Sequence, residues 1–425
     1  MPDSSSVESS LSDGAKLLMS RVRERYLESR DFNGFHVEET NGELKVSSKE
    51  LLEAGLVQVV SFSDYPNFHI RPWQSKRTTE EQADDIDNLE ESENGFCLYP
   101  TPFAMESVEL PKRFEGRPFH TAMARGKGTL ELAYFEFQVL EGYRNDSRFW
   151  LGFGDTGASL LVNPEERHHT LERDRIFMNQ IGYGYDLSSF DPKDPDSPIV
   201  RRVAVLYCDL LNLNPEIQRR WESYQVESAN LEPHPGWWGR QMGEWDMALG
   251  PFDRMFFEIE NINQLTELIF EDKGTLFKSS ERPDELGWIL RPSRREWDEF
   301  IHQMDKTLSD NLSTKFLNNI GAPKENEEGH SLGTIARLQL LLESGGASKD
   351  LATQILKPIK EIRRQRQAPA HAIRVNITDA TFVHKQVVLI HEVNDSLKFI
   401  TSMFSRHSKA KNWENKWKDV QDWLF

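Results

Sequence analysis

Residues 349–374 read KDLATQILKPIKEIRRQRQAPAHAIR, and the way this stretch folds decides the architecture of the chain's C-terminal part. Ser348 stands where a helix N-cap belongs, and Pro358 and Pro369 interrupt the helix that follows, because proline lacks the backbone donor and crowds the preceding turn. Working outward, Trp297, Ile301, Met304, Leu308 and Leu312 recur at helical intervals and form one apolar stripe. Residues 331–343 (SLGTIARLQLLLE) predict another helix. Residues 378–404 predict a longer one, with Phe382, Val383, Val387, Ile390, Leu397, Ile400 and Phe404 along it. Short connections between these segments imply antiparallel neighbours, an all-α bundle over residues 286–425. A last amphipathic piece carries Trp413, Trp417 and Trp423.

The part upstream is mixed. Residues 13–29 space Leu18, Val22 and Tyr26 as a helix, while 32–39 (FNGFHVEE), 56–62 (LVQVVSF), 129–141 (TLELAYFEFQVLE) and 148–154 (RFWLGFG) read as strands. Asn214-Pro215 opens a helix as N-cap and N1. Residues 203–211 (VAVLYCDLL) fit a strand or a helix, and 255–272 (MFFEIENINQLTELIFED) a strand running into a helix or one long helix. Residues 79–94 are dense in carboxylates and read as an acidic linker with some helix. The fold class expected is α+β: a mixed recognition or regulatory region over 1–285, then the helical bundle.

The chain has 425 residues, 25 Phe, 11 Trp and 9 Tyr, enough large apolar side chains to build a core. Its apolar runs fall well short of the ~18 residues of a membrane span. The first residues, MPDSSSVESS, are polar and acidic, unlike a signal peptide. Cys97 and Cys208 are too few for a disulfide framework. These features predict a cytoplasmic protein with no membrane partner. The net charge of −18 argues against a nucleic-acid partner, yet it is unevenly spread. Residues 349–425 hold 14 Lys/Arg against 8 Asp/Glu, a balance of +6, which leaves −24 on the first 348.

The most basic turn, Arg363-Arg364-Gln365-Arg366-Gln367, leads to Pro369 and His371. This combination suits RNA cleavage without a metal. A histidine of near-neutral pKa can take the ribose 2′-hydroxyl proton, and a guanidinium can hold the phosphate that gains charge as the 2′-oxygen attacks it. Arg364 lies seven residues before His371, nearly on one helical face, and Arg366 lies five before. Spacing does not choose between them.

Arg366-Gln367-x-x-x-His371, or Arg364-Gln365 with six intervening residues, on a helix of a C-terminal bundle, resembles the Arg-x4–6-His signature of the HEPN superfamily. The resemblance covers the bundle and leaves 1–285 unrecognised. It implies an endoribonuclease that acts as a homodimer, with the Arg and His of two bundles pooled in one metal-independent site. Toxin and antiviral (phage) defence systems are a common setting for such proteins. On that basis Arg366, His371 and Arg364 are the catalytic candidates, and Arg363, Lys360, Gln367 and Arg374 the RNA-binding ones, with RNA, in particular tRNA, as substrate. No cofactor and no metal are expected. Gln after the arginine departs from the Asn, Asp or His more usual there. The alternative is a non-catalytic dimerising interaction or sensor protein with a degenerate bundle of this kind, working with a regulatory protein partner.

Three further patterns read as structural. Arg295 and His302 match the bare Arg–His spacing on another helix, as a surface pair beside the Trp297 stripe. Gly152-Phe153-Gly154-Asp155-Thr156-Gly157 is a literal GxGxxG, but only ASLLVN follows before Pro164, too short for a dinucleotide-binding helix. His168-His169 reads as surface histidines. Tyr143–Asp146 and Trp237-Trp238 read as core aromatics plus a turn, with a recognition surface as the alternative.

Overall fold

The two sequence periods, alternation upstream and helical stripes downstream, build an α+β protein with 47% helix and 15% strand. The computed structural model describes residues 4–38, 42–88, 95–191, 193–194, 197–227, 229–244, 248–367 and 375–425. Two compact units share the chain. One comprises 1–136, 170–176 and 204–227; the other 137–169, 177–203 and 228–425.

The first unit centres on a three-stranded antiparallel sheet, with β1 (Phe35–Val37) and β2 (Val57–Ser61) on either side of β3 (Phe96–Pro100). Helices α1 (Asp13–Glu28) and α2 (Gly42–Glu53) pack their apolar stripes on it: Leu18, Met19, Val22, Leu51 and Leu52 meet Val57, Val59 and Leu98. The acidic stretch begins as α3 (Thr79–Asp87), held by a capping box in which Thr78 and Glu81 exchange hydrogen bonds. Strand β4 (Leu132–Glu136) belongs to a second sheet and pairs with Gln225–Val226, and α4 (Pro215–Glu222) starts at the expected Asn214 cap. Arg71 is buried here, donates to the carbonyls of Pro100 and Gly126, and lies with its guanidinium over the Tyr26 and Tyr99 rings.

In the second unit β5 (Phe149–Phe153), β6 (Gly157–Val162) and β7 (Phe177–Asp186) form an antiparallel meander. The helices follow: α5 (Pro235–Gln241), α6 (Pro251–Phe270), α7 (Arg294–Asp305), α8 (Thr334–Ser344), α9 (Lys349–Ile355), α10 (Lys357–Gln367) and α11 (Thr381–Ser405). Residues 255–270 resolve as a single helix, because Gly250 and Pro251 start it and Met255, Ile259, Ile262 and Leu265 keep one buried stripe. That stripe packs on α11, whose Ile390, Val393, Leu397 and Ile400 are buried. The expected break near Pro358 falls at Leu356, between α9 and α10. The tryptophan-bearing tail is not an α-helix; each indole finds its own seat, Trp417 on Phe257 at 4.3 Å and Trp423 on His234 at 5.2 Å. Among the described residues no helix is long and apolar enough to cross a membrane.

Candidate functional site

Helix α10 lies against α7, and this contact assigns the basic residues different roles. Ile359 and Ile362 are buried, which turns Arg363 and Arg366 toward the end of α7 and Arg364 away from it. Arg363 Nη1 donates to Asp305 Oδ2 at 2.7 Å and to Asp310 Oδ1 at 2.9 Å. Arg366 Nη1 contacts the same Asp305 oxygen and donates to Asp310 Oδ2 at 2.9 Å. The Asp305 side chain is fully buried, so two guanidiniums share one buried carboxylate and one exposed one. The hydrogen bond to Asp305, then the one to Asp310, raises the pKa of Arg366 above its ordinary value. The charge density read from residues 363–366 is thus largely matched by acids from another element.

Arg364, by contrast, is exposed. It forms a bidentate pair with Glu361 at 2.6 and 2.8 Å and lines a groove with Lys357 and Lys360. Lys360 Nζ also donates to Gln339 Oε1 at 2.6 Å, and Gln367 is exposed at the end of α10. His371 and Arg374 lie outside the described residues.

Arg366 borders a cleft of about 560 Å³ whose other walls come from α7, through Arg294, Arg295, Asp298, Glu299 and His302 on one face of that helix, and from Asn376. Local chemistry builds it. Ser293 caps α7 through a hydrogen bond from the Glu296 amide. The chain returning at 376–379 satisfies further N-terminal donors: Arg294 N–H donates to the Ile377 carbonyl at 2.9 Å and Arg295 N–H to Asn376 Oδ1 at 3.0 Å. Arg294 also lies over the Phe382 ring at 4.9 Å. Arg295 and His302, a surface pair by sequence, therefore share a cleft with Arg366. Their shared helical face on α7 was legible; the packing of α10 beside it was not.

The glycine-rich stretch is a hairpin turn between β5 and β6, without the helix a phosphate cradle requires. Its aspartate has another task. Asp155 is buried, accepts from the Asp253 N–H in the first turn of α6 at 2.9 Å, and pairs with Arg282 Nη1 at 2.6 Å. Trp288 Nε1 donates to the Asp155 carbonyl at 2.8 Å. A Cβ on Gly250 would overlap the Asp155 carboxylate, so glycine is required where the turn meets α6.

The Asp253 side chain is half exposed to water, yet protein surrounds it on most sides. Burial, then the charge of Asp155, pushes its carboxyl up to about 6, against the pull of Arg282 and Arg240. Between about pH 4 and 6 the folded protein holds a proton that the unfolded chain releases, so this group makes stability fall as pH rises through that window. Asp253→Asn is expected to melt increasingly above wild type from pH 4 to pH 7 in thermal-shift scans. Parallel curves over that range would refute the coupling.

Among the described residues no group of three or more His, Cys, Asp or Glu could hold a metal ion. No protein-family model, curated protein or solved structure matches the chain.

Proposed function

We propose that this chain is a metal-independent endoribonuclease of HEPN type, with Arg366 and His371 as the reacting pair. The observation that carries the reading is the α7–α10 cleft. Its walls include Arg366, five residues before His371 in the chain, and Asn376, five residues after it. Arg294 and Arg295 add two cations for flanking phosphates, and His302 brings an imidazole to the cleft. The proposed step needs no cofactor. His371 takes the 2′-hydroxyl proton, the 2′-oxygen forms a bond to phosphorus, and the 5′-oxygen leaves with a proton supplied from the cleft. The products are a 2′,3′-cyclic phosphate and a 5′-hydroxyl. Arg366 binds the non-bridging oxygens as their charge rises. Arg364, on its own groove, binds RNA rather than reacts.

A second reading draws on the ion pairs. Arginines held by Asp305 and Asp310 also suit a bundle that dimerises or binds a protein partner without cutting RNA.

The deciding experiment incubates wild type and His371→Ala with total tRNA in EDTA and analyses the cut ends. Wild type should leave 2′,3′-cyclic phosphates, and His371→Ala should cut more slowly by roughly 100-fold or more. Arg366→Ala should lose activity similarly, assayed where circular dichroism shows it folded, because it strips a partner from buried Asp305. Intact RNA with folded wild type favours the non-catalytic reading, and unchanged cutting by His371→Ala removes His371 from the reaction.

A further inference from the structure

A cavity of about 670 Å³ opens in the second unit over the face of the β5–β6–β7 meander, on residues the ribonuclease reading does not use. Its floor is shaped by a bulge. Ala158 pairs with Ile181 and Leu160 with Met178, so the single residue Ser159 opposes both Asn179 and Gln180, and all three line the cavity. Trp150 stands at the rim, 39% exposed. Its indole lies over Gly152, where a Cβ would overlap the ring, and the ring is therefore held along the strand.

The sheet register extends this platform. Trp150 pairs with Leu161, and Leu161 with Phe177, which is 72% exposed. Directly paired residues project from the same face, so two exposed aromatic rings stand two strands apart, roughly 10 Å. Such a row on a sheet face meets flat, weakly polar surfaces that repeat at a similar distance.

The walls decide the charge of the ligand. Asp155, Asp253 and Asp284 face Arg240 and Arg282. Arg282 is engaged by Asp155, and Arg240 by the Thr156 hydroxyl. A phosphate would meet a surplus of carboxylates, and a cation would meet two guanidiniums. The amides of Asn179, Gln180 and Gln241 offer both donors and acceptors, as hydroxyl groups require.

We propose that this face binds an uncharged oligosaccharide, with its sugar rings on Trp150 and Phe177 and its hydroxyls on Asn179, Gln180 and Asp253. The C–H face of a pyranose is apolar and flat enough to stack on an indole, while its rim alternates donors and acceptors.

The test is calorimetry and saturation-transfer NMR on the full chain, with cellotetraose, maltotetraose and chitotetraose as probes and a uridine octanucleotide and spermidine as controls. At least one tetrasaccharide should bind, and Trp150→Ala should weaken it about tenfold, with Phe177→Ala smaller. Asn179→Ala, at an exposed position, serves as the second variant should Trp150→Ala lose its fold, and it should weaken binding several-fold. No tetrasaccharide binding overturns the proposal. So does binding indifferent to the folded variants, or octanucleotide or spermidine binding that alone depends on Trp150.

Discussion

Asp155→Ala is expected to lower the melting temperature by about 10 °C, a loss on the order of 4 kcal/mol. One carboxylate satisfies three demands at once. It offsets Arg282 at 2.6 Å, it accepts the Asp253 N–H in the first turn of α6, and its negative charge lies at the end of that helix where the dipole favours an anion. Removing it leaves Arg282, only 16% exposed, without its close counter-ion and an N-terminal donor without an acceptor. Asp155→Asn separates these roles. The amide oxygen can still accept from Asp253 while the charge opposite Arg282 is gone, so a smaller loss of about 2 kcal/mol is expected. Calorimetric melting of both variants gives the order. An alanine variant that melts within about 2 °C of wild type would show that α6 does not depend on this cap.

That role for Asp155 was invisible in the sequence, where it is the fourth residue of a literal GxGxxG. What could be read there was negative: ASLLVN is too short for the required helix, and the structure has the hairpin. What could not be read was α6, about 100 residues on, arriving with Gly250 so close that no side chain fits. The helical periods of the C-terminal part were legible because each stripe is local, and α7, α8 and α11 fall on it. The tryptophan tail could be read only as amphipathic, because Trp417 and Trp423 pack on separate neighbours, Phe257 and His234, that no local pattern names. The arginine cluster shows the same limit. A run of cations is visible in one dimension, whereas Asp305 and Asp310, more than 50 residues upstream, become its counter-ions only when α7 and α10 pack. Conversely, Arg295 and His302 gained their interest from Arg366 beside them, which no local pattern announces.

The Asp305→Ala variant tests what that packing is for. Asp305 is fully buried and shared by Arg363, 38% exposed, and Arg366, 31% exposed. Water already screens the arginines in part, so the loss should be nearer 3 kcal/mol than the upper figure for buried pairs, roughly 6–10 °C in melting temperature. Asp310 remains as a partner for both, which further limits it. The sign of the effect on RNA distinguishes two uses of the arginines. If Asp305 aims Arg366 into the cleft as an orienting group, Asp305→Ala loses cleavage although both guanidiniums survive, and Asp305→Asn recovers part of it. If Asp305 instead competes with phosphate for Arg366, the folded variant binds tRNA more tightly at low salt, with a steeper salt dependence, because an additional cation becomes available to the backbone. A folded variant that loses stability but changes neither tRNA affinity nor cutting confines Asp305 to the architecture of the bundle, with Asp310 still holding both guanidiniums.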